Sequence, residues 1–174
     1  MTGQDIIEKT KRYISREPDT DLVIDAIQSA INWLGNKGYI IDKIDIEAEP
    51  DDFHEFPEDI IRVIKVEIPA ENKYYYSYII DGNLIRFKDK NEYRIFAEKH
   101  PFKYQNRHEE IPMHPMLQGC VEDYVKGYCK LSIDDTSQDG HRLIQEFKEN
   151  SAKAYQVLKR GQKTPTKVRV RRHG

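Results

Sequence analysis

Two short stretches combine histidines with carboxylates, the residue types that bind metal ions or transfer protons. The first runs from His54 to Glu58 and begins like the His-Glu-x-x-His motif of helical zinc sites. Its fifth residue is a glutamate, and Pro57 disfavours the helix that would place two ligands on one face. The second stretch is interrupted by Pro112 and contains four such residues: His108, Glu109, Glu110 and His114. We expect neither stretch to bind a metal.

Two other patterns could support chemistry, the cysteines and the glycines. Cys120 and Cys129 are nine residues apart, so they would lie on opposite sides of one helix and could not bridge each other within it. We expect two buried thiols. The nine glycines are scattered and form no phosphate-binding loop. The sequence therefore predicts no catalytic residue, no cofactor and no metal ligand.

Four tyrosines are clustered where a strand is predicted: Tyr74, Tyr75, Tyr76 and Tyr78. Aromatic side chains on a sheet can stack the bases of single-stranded nucleic acid. Few basic residues lie near them, however, and tyrosines are favoured in strands for packing alone. Packing is the simpler interpretation.

The charge is divided unevenly along the chain. Seven basic residues and no acidic ones lie after Leu158: Lys159, Arg160, Lys163, Lys167, Arg169, Arg171 and Arg172. The other 21 basic residues face 30 acidic ones, a formal charge of −9 for the rest of the chain. Such a tail can neutralise DNA phosphates or bind an acidic protein surface.

Within the tail, the segment Lys167–Arg171 alternates basic residues with Val168 and Val170. This alternation is typical of a strand that adds to the edge of a partner's sheet. It favours protein docking through a set of tail residues: Arg160, Lys163, Lys167, Val168, Arg169, Val170, Arg171 and Arg172.

The 174 residues suit one domain with extensions. Hydrophobic residues make up 38% and charged residues 33%, and the mean hydropathy is −0.79. The N-terminal thirty residues are too charged for a secretory signal, and no apolar run approaches the roughly 20 residues that span a bilayer. We expect synthesis in a cytosol and no membrane contact.

Helical periodicity appears four times, at about residues 4–16, 20–37, 113–131 and 140–158. Glu17-Pro18 is expected to end the first helix, Thr20 to cap the second, and Gly38 to end it. In the third helix the apolar residues are dense enough to predict a well-buried helix: Met113, Met116, Leu117, Cys120, Val121, Tyr124, Val125 and Tyr128.

Strands are predicted between about residues 39 and 97, where the apolar period changes to two. Ile60–Ile68 is the strongest, with one apolar face formed by Ile60, Ile64, Val66 and Ile68. Turns are expected at Asp81-Gly82-Asn83 and at Asp89-Lys90-Asn91. The acidic stretch between the prolines Pro50 and Pro57 is expected to be a loop.

The predicted fold is α+β, a helical bundle with an antiparallel β-meander or hairpin sheet and an extended basic C-terminal tail. Residues 1–158 would form a single α+β domain, and residues 159–174 would form the docking tail.

The order of these elements resembles the head–tail connector (adaptor) proteins of tailed bacteriophages. The likeness covers about residues 20–160. It lies in a paired-helix start, a proline-led strand from Phe56-Pro57 to Val66, a hairpin from Tyr78 to Ile85, and Ile111-Pro112 leading into two closing helices. The resemblance implies a non-enzymatic virion neck protein that forms a ring, usually of about twelve copies, below the portal.

That role implies several partners and contacts. The ring would join the portal to the tail or to tail-completion proteins, and packaged DNA would pass through its channel during ejection. The basic tail would dock on the portal, and the two turns at residues 81–83 and 89–91 would meet the tail partner. The acidic residues would lie at the lumen or at subunit contacts: Asp51, Asp52, Glu55, Glu58 and Asp59.

Two alternatives remain open from the residues alone. The chain could be a nucleic-acid-binding accessory protein that uses its basic tail, or a generic protein-binding module.

Overall fold

The computed structural model describes residues 1–160. The predicted portal-docking residues from Lys163 to Arg172 lie outside the described residues. Within the described part, four helices and seven strands occur in this order: α1 Gly3–Ile14, α2 Thr20–Asn36, β1 Ile41–Ala48, β2 Phe53–Glu55, β3 Ile60–Ile68, β4 Lys73–Tyr74, β5 Tyr78–Asp81, β6 Leu84–Phe87, β7 Asn91–Lys99, α3 Pro115–Ile133 and α4 Gln138–Arg160. The α+β class and all four helices agree with the prediction from sequence.

Local hydrogen bonds set the ends of the first two helices. Thr2 caps α1 in a reciprocal capping box, in which its hydroxyl accepts from Asp5 N and the Asp5 carboxylate accepts from Thr2 N. Ser15 adopts a left-handed conformation (φ 58°) and ends α1 before the predicted Glu17-Pro18 stop. Asp19, not the predicted Thr20, caps α2, because its carboxylate accepts from Asp21 N at 2.9 Å.

The helical core forms around α3, which packs against α1, α2 and α4. Phe147 of α4 is fully buried and lies 4.9 Å, ring centroid to centroid, from both Trp33 and Tyr124. Two members of the predicted apolar set are partly open to solvent instead, since the Met116 and Tyr128 side chains are 43% and 37% exposed. The reason is that α3 has a free side between its contacts with the neighbouring helices.

The strands form two antiparallel sheets, ordered β1-β7-β3-β4 and β2-β6-β5. The predicted hairpin is confirmed as β5-β6, with Gly82 at φ 58° in the turn. The predicted meander is wrong, because β7 enters between β1 and β3 and not beside β6. Its Tyr93, Ile95 and Ala97 alternate along the strand and are each 0% exposed, so one face of β7 lies in the core while its backbone is paired on both edges.

The acidic stretch was expected to be a loop, but it contains the short strand β2. Phe53 and Glu55 pair with Arg86 and Leu84 of β6. Phe56, which follows, is 5% exposed and holds this segment against the sheet. Burial of that aromatic ring overrides the polar composition around it.

The register of β3 against β7 shifts twice, at Ile61 and at Ile64. Each shift places two β3 residues opposite one β7 residue, as in a β-bulge. As a result Val63, and not the predicted Ile64, joins Ile60, Val66 and Ile68 on the face that packs into the sheet core. The bulges also carry Ile61 to the surface, where it is 43% exposed.

The two sheets pack face to face around a second core, separate from the helical one. Phe87 of β6 stacks on Tyr93 of β7 with ring centroids 3.9 Å apart and planes within 6°. Tyr75, 9% exposed, closes one side of this pair. The molecule thus has one core of helices and one of strands.

A buried carboxylate connects the two cores. Glu98 of β7 is 4% exposed and accepts two hydrogen bonds from the Arg62 guanidinium, at 2.8 and 2.7 Å. Tyr155 of α4 donates its hydroxyl to the same carboxylate at 2.8 Å and stacks on Tyr39. The sheet and the last turns of α4 are thereby held together.

None of the helices in residues 1–160 is long and apolar enough to cross a membrane.

Candidate protein-docking site

Among the strand edges that have no hydrogen-bonded neighbour within the described residues, two face each other across one part of the surface, those of β3 and β5. On one side of β3, β4 pairs only with Glu67 and Ile68, and the Tyr75 amide extends the contact to Val66 O at 2.9 Å. The first half of β3, Ile60–Lys65, therefore has a free edge on that side. β5 is the last strand of its own sheet and pairs only with β6.

A groove lies between these two edges, and we call it the β3–β5 groove. Its lining includes Pro57, Ile61 and Val63 on the β3 side, and Ile80 and Gly82 on the β5 side. Its volume of about 340 Å³ is at the small end for a small-molecule pocket. The groove suits side chains of an extended peptide better than an enclosed ligand.

Apolar side chains are concentrated at the groove. Ile61 of β3 and Ile80 of β5 both line it and are 43% and 44% exposed. Singly exposed apolar residues are normal on protein surfaces, whereas a contiguous group marks an interaction site. Together with unpaired backbone edges, the group is a docking surface of the kind that accepts an added strand.

Two acidic residues adjoin the groove: Glu58 belongs to its lining, and Asp81 lies in the chain between the lining residues Ile80 and Gly82. We call these two residues the acidic rim. Glu58 and Asp81 make no ion pair within residues 1–160. Glu55 accepts a hydrogen bond from the Asn83 side-chain amide at 2.8 Å, and the Phe56 amide donates to Asn83 O at 2.7 Å. The structure thus brings the acidic segment and the turn at residues 81–83 together, although the sequence assigned them to different contacts.

Two of the other acids of the predicted lumen set have ion-pair partners. Asp59 lies 3.0 Å from the Lys99 ammonium, and Asp51 lies 3.8 Å from Arg86. Asp52 is exposed, as are Asp51, Glu55 and Glu58. Four of the five acids are therefore at the surface, where a partner or a second copy could meet them.

The second predicted contact turn, at Asp89-Lys90-Asn91, lies at the other end of β6. Asp89 accepts a hydrogen bond from the Tyr75 hydroxyl at 2.8 Å, and its carbonyl oxygen accepts from the Tyr93 hydroxyl at 2.7 Å. Lys90 pairs with Glu49. This turn is fixed to the sheet core, while the turn at residues 81–83 borders the groove.

In the second histidine–carboxylate stretch, one histidine has a structural role. His114 caps α3, its Nδ1 accepting from Met116 N at 3.3 Å. Among the described residues, no group of three or more His, Cys, Asp or Glu side chains could hold a metal ion.

The four clustered tyrosines do not share one surface. Tyr75 is buried in the sheet core, Tyr74 and Tyr78 are partly buried, and Tyr76 is exposed. Packing explains most of them, as the sequence suggested, and they form no common platform for stacking bases.

The two cysteines are buried and unpaired on α3, as predicted. Burial raises the pKa of the Cys129 thiol to about 11 and also raises the pKa of Cys120. Both groups are protonated at neutral pH, whereas a thiol acts as a nucleophile in its ionised form.

Lys65 is a charged side chain that sequence reasoning missed. It pairs with Glu67, and its ammonium lies 3.8 Å from the centroid of the Phe96 ring. Burial is the largest influence and lowers the pKa of Lys65. The available signal was its position in β3, one residue from the buried Val66, which places it on the sheet face opposite the core.

Hydrogen bonds to Glu98 connect helix α4 to the groove. Arg62 lines the groove and bonds Glu98, which bonds Tyr155 of α4. The end of α4, where the basic tail begins, is therefore connected by direct contacts to the border of the groove.

No model of a known protein family matches the chain. A search of curated protein sequences finds no match either.

Proposed function

We propose that this protein is a structural virion component, a head–tail connector that forms a ring and joins the portal to the tail or to tail-completion proteins. The β3–β5 groove is the observation that carries the proposal. It combines exposed isoleucines, free strand edges and an acidic rim in one place. These are the features by which one protein adds a segment to the sheet of another.

A connector needs separate surfaces for its two neighbours. The groove and the adjoining turn at residues 81–83 provide one, which we assign to the distal tail partner. The basic tail that follows α4 provides the other, which we assign to an acidic surface of the portal. The exposed acids Asp51, Asp52, Glu55 and Glu58 would then lie at subunit contacts or at the channel for DNA.

The molecular mass of the assembly tests the proposal. Native mass spectrometry or light scattering should detect a ring of about twelve copies, alone or with a portal protein. A protein that stays monomeric or dimeric under both conditions is not a ring-forming connector.

Placing charged side chains in the groove tests whether the tail partner binds there. We expect the double substitution Ile61→Asp and Ile80→Asp to abolish binding of the tail partner, because it puts carboxylates into an apolar contact. Met116→Asp/Val157→Asp is the matched control, since these side chains are 43% and 53% exposed and line a different cleft, between α3 and α4. Equal loss from the control would remove the groove from the proposal.

The nucleic-acid alternative has its own supporting observation, the seven basic residues after Leu158 without an acidic one. If all seven neutralise phosphates, the logarithm of the DNA-binding constant should fall with the logarithm of salt concentration with a slope of about −6. A slope near that value, with no binding to a portal, would favour the accessory-protein function.

A further inference from the structure

Within residues 1–160, no segment covers the β3–β5 groove. Proteins usually cover a surface of this kind. A free strand edge beside exposed isoleucines is a site for unwanted pairing between chains. The groove therefore calls for an occupant that is apolar on one side, basic on the other, and able to pair along a strand.

One segment of this chain has that chemistry. In an extended Lys167–Arg171 segment, Val168 and Val170 would point to one side and the three basic residues to the other. The valines match the isoleucines of the groove. The long basic side chains can reach around to the rim acids Glu58 and Asp81, which have no cationic partner within the described residues.

The distance allows the segment to come from the same chain. Residues 161–166 separate the end of α4 from Lys167, and six extended residues span up to about 20 Å. The last turns of α4 start beside the groove, because Tyr155 and Arg62 both bond the Glu98 carboxylate, at 2.8 and 2.7 Å. A short tether also gives an effective concentration of about 1 mM, well above that of a second copy in dilute solution.

We propose that Lys167–Arg172 docks in the β3–β5 groove of its own chain and covers it in the free protein. The backbone of the segment pairs with the free edge of β3 or β5, the valines fill the apolar part, and the basic residues lie against the acidic rim. The same residues that bind a partner thus protect the groove before that partner arrives.

One consequence rests on the proposed connector function. A portal that takes the basic tail would uncover the groove, and only then could the tail partner bind it. Assembly would proceed in a set order without a further factor.

Hydrogen exchange in the full chain tests the docking without any portal. We compare the protein with Val168→Asp/Val170→Asp and with Thr164→Asp/Thr166→Asp, which adds the same charge to the tail outside the alternating segment. The valine variant should speed exchange of the amides in Ile60–Lys65 and Tyr78–Asp81 by about tenfold. The threonine variant should leave these rates unchanged.

Dilution distinguishes docking of the tail in the groove of its own chain from docking in the groove of a second copy. Protection that stays constant as the protein is diluted, with a monomeric mass, supports docking within one chain. Protection that follows the assembled fraction means that a neighbouring copy supplies the segment, and equal exchange in all three proteins means that the groove is not covered. Either result overturns the proposal and leaves the ring-forming function to be decided by mass.

Exchanging the charges of the rim acids and of two tail arginines tests whether these groups contact each other. Glu58→Lys/Asp81→Lys should release the segment and raise exchange in the same two stretches. Combining it with Arg169→Glu/Arg171→Glu should restore protection, because the opposite charges face each other again. Failure to restore protection contradicts docking against this rim.

Discussion

Glu98 illustrates what one buried carboxylate does in this molecule. It is 4% exposed, yet the Arg62 guanidinium and the Tyr155 hydroxyl satisfy both of its oxygens. Gly38 lies close as well, since a Cβ atom there would come within 3.0 Å of Glu98 Oε2. Strand β7, strand β3 and helix α4 therefore meet at a single side chain.

Removing one hydroxyl should measure this connection. Tyr155→Phe keeps the ring stacked on Tyr39 but removes a hydrogen bond to a charged group, so we expect the free energy of unfolding to fall by about 1.5–3 kcal/mol. Tyr13→Phe is the control, since its hydroxyl makes an exposed bond of 3.4 Å to Asp139. Urea denaturation gives the free energy of unfolding of both variants. Equal losses would show that the Tyr155–Glu98 hydrogen bond stabilises the protein no more than an exposed one does.

The buried thiol of Cys129 should make stability depend on pH in the alkaline range. Burial raises its pKa from an ordinary 9.0 to about 11, so the folded protein holds this proton more tightly than the unfolded chain does. The stabilisation is complete below about pH 9 and is lost as the pH rises toward 11, by about 2–3 kcal/mol in all.

Denaturation between pH 8 and pH 10.5 measures this loss. The Cys129→Ala variant should show a shallower decline, because the buried tyrosines and Cys120 contribute equally to both proteins. Parallel curves for the two proteins would assign the alkaline loss to other groups.

At the scale of elements, α3 and α4 pack closely where Gly127 and Gly140 meet. A Cβ atom on Gly127 would lie 3.0 Å from Gly140 O and 3.0 Å from Leu143 Cβ, while one on Gly119 of the same helix would meet nothing within 4 Å. Gly127 and Gly119 therefore lie on the same helix, but only Gly127 is closely packed against its surroundings.

Alanine should therefore have opposite effects at the two positions. Gly127→Ala should destabilise the protein by about 1–3 kcal/mol through overpacking. Gly119→Ala should stabilise it by about 0.5–1 kcal/mol, because alanine restricts the unfolded chain and favours helix. Thermal denaturation distinguishes the signs, and stabilisation by both would mean that the helices can separate slightly without cost.

The helices and strands also show which local sequence signals were sufficient to predict an element. Each helix had a strong apolar period and was predicted within a few residues of its ends. β2 had no such signal, since only Phe56 marks it as part of the sheet. The shifts at Ile61 and Ile64 depend on which β7 residues stand opposite, and this information is not present in β3 itself.

At the scale of the whole molecule, the exposed acids between residues 51 and 58 should matter for assembly more than for folding. Amide substitution at four exposed positions moves the formal charge from −2 to +2: Asp51, Asp52, Glu55 and Glu58. We expect the free energy of unfolding to change by less than about 0.5 kcal/mol. The assembled fraction, measured by native mass spectrometry, should fall if these acids form the subunit contacts that we propose.

A second set of four exposed acids gives the control with the same net charge: Glu8, Asp25, Glu109 and Glu149. These lie on the helices and the segment before α3. Equal effects of both sets would indicate a general response to charge, and not a contact at the acidic segment.

The sequence by itself determined the α+β class, the four helices, the β5-β6 hairpin, the two buried cysteines and the charge division between body and tail. These features depend on periodicity, turn chemistry and composition, which act over a few neighbouring residues. The likeness to connector proteins stays a hypothesis, since it rests on the order of these same elements.

Only the tertiary structure decided the strand order, the Glu98 contact and the β3–β5 groove. Each depends on which distant residues come together when apolar faces are buried: β7 separates β1 from β3, and Tyr155 reaches β7 from the opposite end of the chain. Many pairings satisfy the same local pattern, and the choice among them is made by the burial of both cores at once.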